Sequence, residues 1–159
     1  MKQFLLYCFA FSFLVSCKKS PTQTFQSYFR MTIDGTRAVT ANMEIKANNP
    51  RNTTSLIIYG RWSTGELSIT LSPYDNTLGE KIVNANFGNS PRFSLFDLGQ
   101  TQYYAGDNGL SGGVTGSGKI NILEISNEYV KGIFQFISGP NNNIIRTITN
   151  GEFHIKRDP

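Results

Sequence analysis

From Tyr28 onward apolar and polar positions alternate with a period of two, the mark of extended chain with one face on a core. Phe29, Met31 and Ile33 point one way, with Tyr28, Arg30 and Thr32 on the other side, and Asp34-Gly35 then offers two residues suited to the left-handed positions of a hairpin turn. A second extended run, Thr36 to Lys46, sets Ala38, Thr40 and Asn42 against Val39, Ala41 and Met43 and is interrupted by Asn48-Asn49-Pro50. Across Thr54 to Trp62, Leu56, Ile58 and Trp62 share a face opposite Ile57, Tyr59 and Arg61, and Ser63-Thr64-Gly65 ends the run. Leu67, Ile69 and Leu71 then alternate with Glu66, Ser68, Thr70 and Ser72 until Pro73, which lacks a ladder donor.

Between Tyr74 and Gly118 the pattern loosens. Strands are expected at Ile82–Phe87, Arg92–Phe96 and Gln102–Ala105, with long loops between them. Three strong late strands follow at Lys119–Ile125, Tyr129–Ser138 and Ile144–Lys156, joined through Ser126-Asn127-Glu128 and through Gly139-Pro140-Asn141-Asn142-Asn143. Asn150-Gly151 inside the last strand predicts a bulge or sharp bend. No window carries a helical stripe, and the 15 glycines agree with that. The expectation is an all-β domain, an antiparallel β-sandwich of about 8–10 strands, with a closed lipocalin-like β-barrel as the alternative. The sandwich is preferred because the middle section would not supply evenly spaced barrel staves.

The first sixteen residues break this pattern. MKQFLLYCFAFSFLVS carries one cation, Lys2, and then an apolar stretch from Phe4 to Val15 that is shorter than the roughly 20 residues of a spanning helix. This is the layout of a secretory signal peptide. Leu14-Val15-Ser16-Cys17 resembles the bacterial lipobox, in which the Cys thiol receives a diacylglycerol and becomes the new N-terminus. Residues 1–16 are therefore expected to leave on export together with Cys8, Cys17 to be lipidated, residues 17–26 to form a polar tether, and residues 27–159 to form one β domain. No thiolate nucleophile, disulfide or cysteine-based zinc site would remain.

Three segments stand in a fixed order along the domain: Phe29-Arg-Met-Thr-Ile-Asp-Gly35, Val130-Lys-Gly-Ile-Phe-Gln-Phe136 and Ile148-Thr-Asn-Gly-Glu-Phe153. Together with the lipobox they resemble small Bacteroidota lipoproteins of unknown function. In that group an F-x-A-x-x-D/N-G strand follows the lipobox, a G-x-F-x-F strand comes late and an I-T-N-G-x-F strand closes the domain. The chain departs from the group at Met31, where Ala is usual, and at Arg37-Ala38, where an apolar-Trp pair is common. The resemblance implies an all-β lipoprotein of the outer membrane and no catalytic residues. Surface-exported lipoproteins of such bacteria tend to carry acids after the lipidated Cys, so Lys18-Lys19-Ser20 points to the periplasmic face.

Composition narrows the chemistry further. A net charge of +4 spread along 159 residues, with pI about 9.1, is too small and dispersed for nucleic-acid binding. The only histidine, His154, lies on a closing strand near Lys156 and Arg157 without a nucleophile elbow anywhere in the chain, and is expected to be an exposed strand residue. Asp75-Asn76 and Asp107-Asn108-Gly109 lack calcium-loop spacing and suit turns. Gly113-Val-Thr-Gly-Ser-Gly-Lys119 nearly spells a phosphate-binding loop, but Ile120 replaces the required Ser or Thr and a strand pattern follows where a helix is needed. Nothing selects Glu66, Glu124 or Glu152 as a catalytic pair. Trp62, Tyr59, Tyr74, Tyr103 and Tyr104 are the candidate ring surfaces for stacking on a ligand such as a sugar, set against the simpler reading that Trp62 and the phenylalanines build the core.

The sequence thus predicts a lipid-anchored envelope protein, a non-catalytic binding or structural module with no cofactor. Its expected partners are the membrane, through lipid on Cys17, and an envelope protein or glycan. Two other roles stay open: a carbohydrate-active accessory lipoprotein, and a small carrier of an apolar ligand.

Overall fold

A computed structural model describes residues 25–48, 54–83, 90–97, 101–107 and 114–158. The expected signal peptide, Cys17 and most of the tether lie outside these residues, as do Asn49-Pro50, Asn108-Gly109, Gly113 and Asn84 to Phe87 of the expected strand at Ile82–Phe87. The described chain is all-β. Its strands are β1 (Tyr28–Ile33), β2 (Arg37–Thr40), β3 (Glu44–Asn48), β4 (Leu56–Trp62), β5 (Gly65–Leu71), β6 (Gly79–Ile82), β7 (Pro91–Asp97), β8 (Thr101–Asp107), β9 (Val114–Thr115), β10 (Ser117–Ile125), β11 (Tyr129–Ile137) and β12 (Thr147–Asp158).

They form one curled sheet in the order β6-β10-β11-β12-β3-β4-β5-β7-β8-β9, with β1 and β2 branching from β12. The long strand β12 makes this possible. One of its edges pairs with β11, while the other pairs first with β1, from Ile148 to His154, and then with β3 at Arg157 and Asp158. The β12–β3 pairing is parallel, so the sheet is mixed rather than purely antiparallel as the sequence suggested. At the other side Gly116, at φ +67°, is the single residue between β9 and β10, so one stretch of chain pairs with β8 and then with β11 and β6.

Alternation decides which faces meet. Phe29, Met31 and Ile33 are buried with Leu56, Ile58, Leu67, Ile69, Phe93, Leu95, Ile120, Phe136 and Phe153 in a single core. Phenylalanines link opposite parts of the sheet: Phe93 of β7 stacks on Phe136 of β11 with ring centroids 4.7 Å apart, and Phe134 lies 5.3 Å from Phe29 and 6.3 Å from Phe153. Such ring pairs add to the area they bury.

The β1–β2 turn forms as its sequence predicts, with Asp34 and Gly35 at φ 52° and 71° and the Thr36 amide donating to the Ile33 carbonyl at 3.3 Å. The run Thr36 to Lys46, expected to be one strand, is two. Ala41 donates to Phe29 of β1, whereas Asn42 and Met43 both donate to Arg61 of β4, so the chain changes partners at residues 41–43. Val39 and Ala41 stay buried and Met43, the next apolar position of the alternation, is left exposed. The loose middle section holds more strand than expected: a strand at Gly79–Ile82, and β7 and β8 extended beyond the expected Arg92–Phe96 and Gln102–Ala105. The last strand starts at Thr147 rather than Ile144.

The expected bulge is present. Asn150 sits at φ 51°, and the register of β12 against both β1 and β11 shifts beside it. A Cβ on Gly151 would stand 2.5 Å from the Phe134 carbonyl oxygen and 2.6 Å from its ring, so only glycine allows this approach.

Candidate functional site

The five aromatic residues suggested as ligand-stacking surfaces do not form one platform. Trp62, Tyr74 and Tyr103 belong to the core. Trp62 is on the same face of β4 as Leu56 and Ile58, its ring lies over Gly65, and its Nε1 donates to Thr64 Oγ1 at 3.0 Å. Tyr74 donates its hydroxyl to the Thr77 carbonyl, and Tyr103 lies beneath the Arg146 guanidinium at 5.1 Å. Tyr59 and Tyr104 are half-buried.

The three glutamates considered as acid candidates share one arrangement. Each accepts from a tyrosine and faces a cation two residues further along the tyrosine's strand. Glu152 takes Tyr28 at 2.6 Å and Arg30 at 2.6 Å; Glu124 takes Tyr129 at 3.3 Å and Lys131 at 3.1 Å; Glu66 takes Tyr59, with Arg61 4.0 Å away. The Tyr28 hydroxyl and then Arg30 hold the Glu152 carboxyl below the usual carboxylate range, and Lys131 does the same for Glu124. Burial and then the bond to Glu66 push the Tyr59 phenol up to about 12. Cross-strand placement explains the motif, because antiparallel pairing sets such side chains side by side on the outer face.

Asp75 is a turn residue, accepting from both the amide and the hydroxyl of Thr77, which lowers its pKa. Lys119 of the glycine-rich segment lies in β10, opposite Ile82 and Gln135, and pairs with Glu80 at 2.9 Å. Among the described residues no three His, Cys, Asp or Glu side chains gather where they could hold a metal. No helix there is long and apolar enough to cross a membrane.

His154 corrects an expectation. Instead of standing exposed, it is enclosed edge-on by Phe25, Tyr28 and Tyr129, with ring centroids 4.5, 5.9 and 5.1 Å away, and its Nε2 is buried without a hydrogen-bond partner. Register brings these rings together: Tyr28 pairs directly with His154, and Tyr129 with Lys156 two residues on.

The best candidate for a binding surface went unnoticed in the sequence. It is a cleft of about 420 Å³ on the outer face of β6, β10, β11 and β12, where Lys119, Asn121, Ile133, Gln135, Asn150 and Glu152 converge. A second recess of about 300 Å³ shares Lys119 and Gln135 and continues past Ile82 and Ile137 to Thr147 and Thr149. Ile82, Ile133 and Ile137 are 53%, 46% and 45% exposed, an aliphatic stripe on a face that alternation would make polar. The signal was present in Val130-Lys-Gly-Ile-Phe-Gln-Phe-Ile137, where both faces of the strand carry apolar residues. Comparison with protein-family models, with curated proteins and with solved structures gives no match.

Proposed function

We propose that this chain is a lipid-anchored envelope protein whose β domain is a non-catalytic binding module, held by lipid on Cys17 at the periplasmic face of the outer membrane. The cleft over β10 and β11 carries the binding role. Aliphatic side chains at Ile133, Ile137 and Ile82 supply apolar area, and the amides of Asn121, Gln135 and Asn150 with the Lys119–Glu80 pair supply directional polar groups. The cleft itself is lined mainly by polar side chains and the adjoining recess is the more apolar of the two. Directional polar groups thus stand beside apolar area, the combination by which ligand sites fix and hold a molecule. The amides suit hydroxyl-rich or amide-bearing envelope components, so a glycan or an extended protein segment is the ligand class. The chain of phenylalanine contacts across the interior favours a packed sandwich over a hollow carrier barrel. The tyrosine and cation on each of Glu66, Glu124 and Glu152 favour structural duty for these acids over acid–base chemistry.

Native mass spectrometry of the full protein, extracted from its own envelope in detergent, tests this. The expected result is a species carrying acyl mass on Cys17 together with a bound component that Ile133→Arg no longer retains. Because Ile133 is exposed, the substitution should leave the circular dichroism spectrum unchanged. A component held equally by Ile133→Arg overturns the cleft, and acyl mass that persists in Cys17→Ala overturns the anchor.

A further inference from the structure

The end of the domain at which the chain emerges from the tether has a surface of its own. Phe25 is the first described residue, and its ring packs 4.5 Å from His154 and 5.8 Å from Tyr129 while remaining 40% exposed. Lys156 donates its amide to Ser27 Oγ at 3.0 Å, Arg157 donates its amide to Glu128 at 2.8 Å and its guanidinium to the Ser126 carbonyl at 2.6 Å. The incoming chain, the β10–β11 turn and the end of β12 are thereby fixed to one another. Two more apolar side chains reach the same level. Leu123 stands at the register shift between Ile122 and Glu124, and Leu78 precedes Gly79, which pairs with Ile122; they are 42% and 56% exposed. Phe25, Tyr129, Leu123 and Leu78 thus share one end of the sheet. Lys131 and the exposed Lys156 are close by, beside the acids Glu124, Glu128 and Asp158.

We propose that this end face seats on the headgroup layer of the bilayer that holds the protein's own anchor, with Phe25, Leu123 and Leu78 entering the interface. The inference rests on lipidation of Cys17. From Cys17 to Phe25 is a step of eight residues, which spans at most about 28 Å when fully extended. The anchor therefore keeps this end near the membrane wherever the tether lies. Aromatic and aliphatic side chains at such a position gain by leaving water, tyrosine suits the headgroup level, and lysine can extend its stem along the apolar surface while its ammonium stays wet. Because acids and bases are mixed here, apolar contact rather than net charge makes the attachment. The opposite end is built differently. There Arg146 bridges Asp34 at 2.7 Å and Asp97 at 3.1 Å, Arg37 also reaches Asp97, and Trp62 is close by, since Gly65 pairs with both Trp62 and Asp97. Seated this way, the domain holds the cleft at its side, open to the periplasm.

The test uses the full lipidated protein in vesicles of phosphatidylethanolamine and phosphatidylglycerol, with and without bromine on the acyl chains, which quenches nearby tryptophan. Wild type contains only the buried Trp62 at the far end and should show no bromine effect. Phe25→Trp should show added emission that shifts to the blue in vesicles and loses intensity with brominated lipid. Leu78→Trp, at a more exposed position, should behave alike and serves if Phe25→Trp does not fold. Acyl mass on Cys17 with neither variant quenched overturns the docking alone. Protein without acyl mass overturns the anchor and the docking with it.

Discussion

Individual side chains explain why apparently chemical residues behave as structural ones. Glu66, Glu124 and Glu152 read as acids in sequence, yet each accepts from a tyrosine and faces a cation that strand register brings to it. Tyr59 makes this testable through pH. Its folded pKa, about 12, exceeds the ordinary phenol value of 10.0, so the folded state holds its proton more tightly than the unfolded state does. The stability this confers is complete below about pH 10 and is lost as pH rises towards 12. Urea unfolding between pH 9 and 12 should show a decline that Tyr59→Phe makes shallower, the remainder coming from Tyr28 and Tyr74, whose phenols are raised by the bond to Glu152 and by burial, respectively. Gly151 offers a second test. Gly151→Ala would press a methyl group onto the Phe134 backbone and ring, an overpacking that typically costs about 1–3 kcal/mol. Gly35→Ala, with open space but φ +71°, should cost about 1 kcal/mol through backbone strain alone. Denaturation midpoints of the two variants separate packing from conformation.

Strands acquire their roles from what they touch on both sides. β11 carries core phenylalanines on one face and the exposed Ile133 and Ile137 on the other, so one element both closes the core and floors the cleft. β7 reaches β11 through the stacked pair Phe93 and Phe136. Phe93→Ala should destabilise by about 3–5 kcal/mol, the usual loss for a buried ring. Combined with Phe136→Ala the effects should fall short of additive, because the second truncation removes a contact already lost. Equilibrium urea unfolding of the two single variants and the double variant measures this. The strand pattern was legible for β1, β4, β5, β10 and β11, where the expected runs overlap the observed strands, although β10 breaks its alternation at the register shift between Ile122 and Glu124 and β11 carries apolar residues on both faces. It misled at residues 36–46, because alternation persists through Ala41 although the hydrogen-bond partner changes there, and partner identity leaves no mark on a period of two.

At the scale of the molecule, β12 is the joint. Among the described residues, its final positions make the one direct strand pairing between the β1, β2, β6, β10 and β11 side and the β3 end of the curled sheet. Removing residues 157–159 should lower the thermal midpoint and speed amide exchange first in β3, at Ala47 and Asn48, while β10 and β11 keep their protection. Hydrogen exchange by mass spectrometry resolves these segments. Loss of protection spread evenly over the sheet would show that the core, rather than this pairing, joins its parts.

The sequence by itself determined the all-β class, most strand positions, the Asp34-Gly35 turn and the Asn150-Gly151 bulge, because each depends on side-chain alternation or on backbone freedom within a few residues. It also carries the expectation of a lipobox at Leu14-Val15-Ser16-Cys17, a motif local by nature. Tertiary structure decided what depends on register between distant strands. It put Trp62, Tyr74 and Tyr103 into the core, enclosed His154 within Phe25, Tyr28 and Tyr129, paired β12 in parallel with β3 and opened the cleft over Ile133. Local pattern says which face of a strand is apolar, whereas the neighbour that will cover it, or leave it bare, is fixed only when strands far apart in the chain pair and pack.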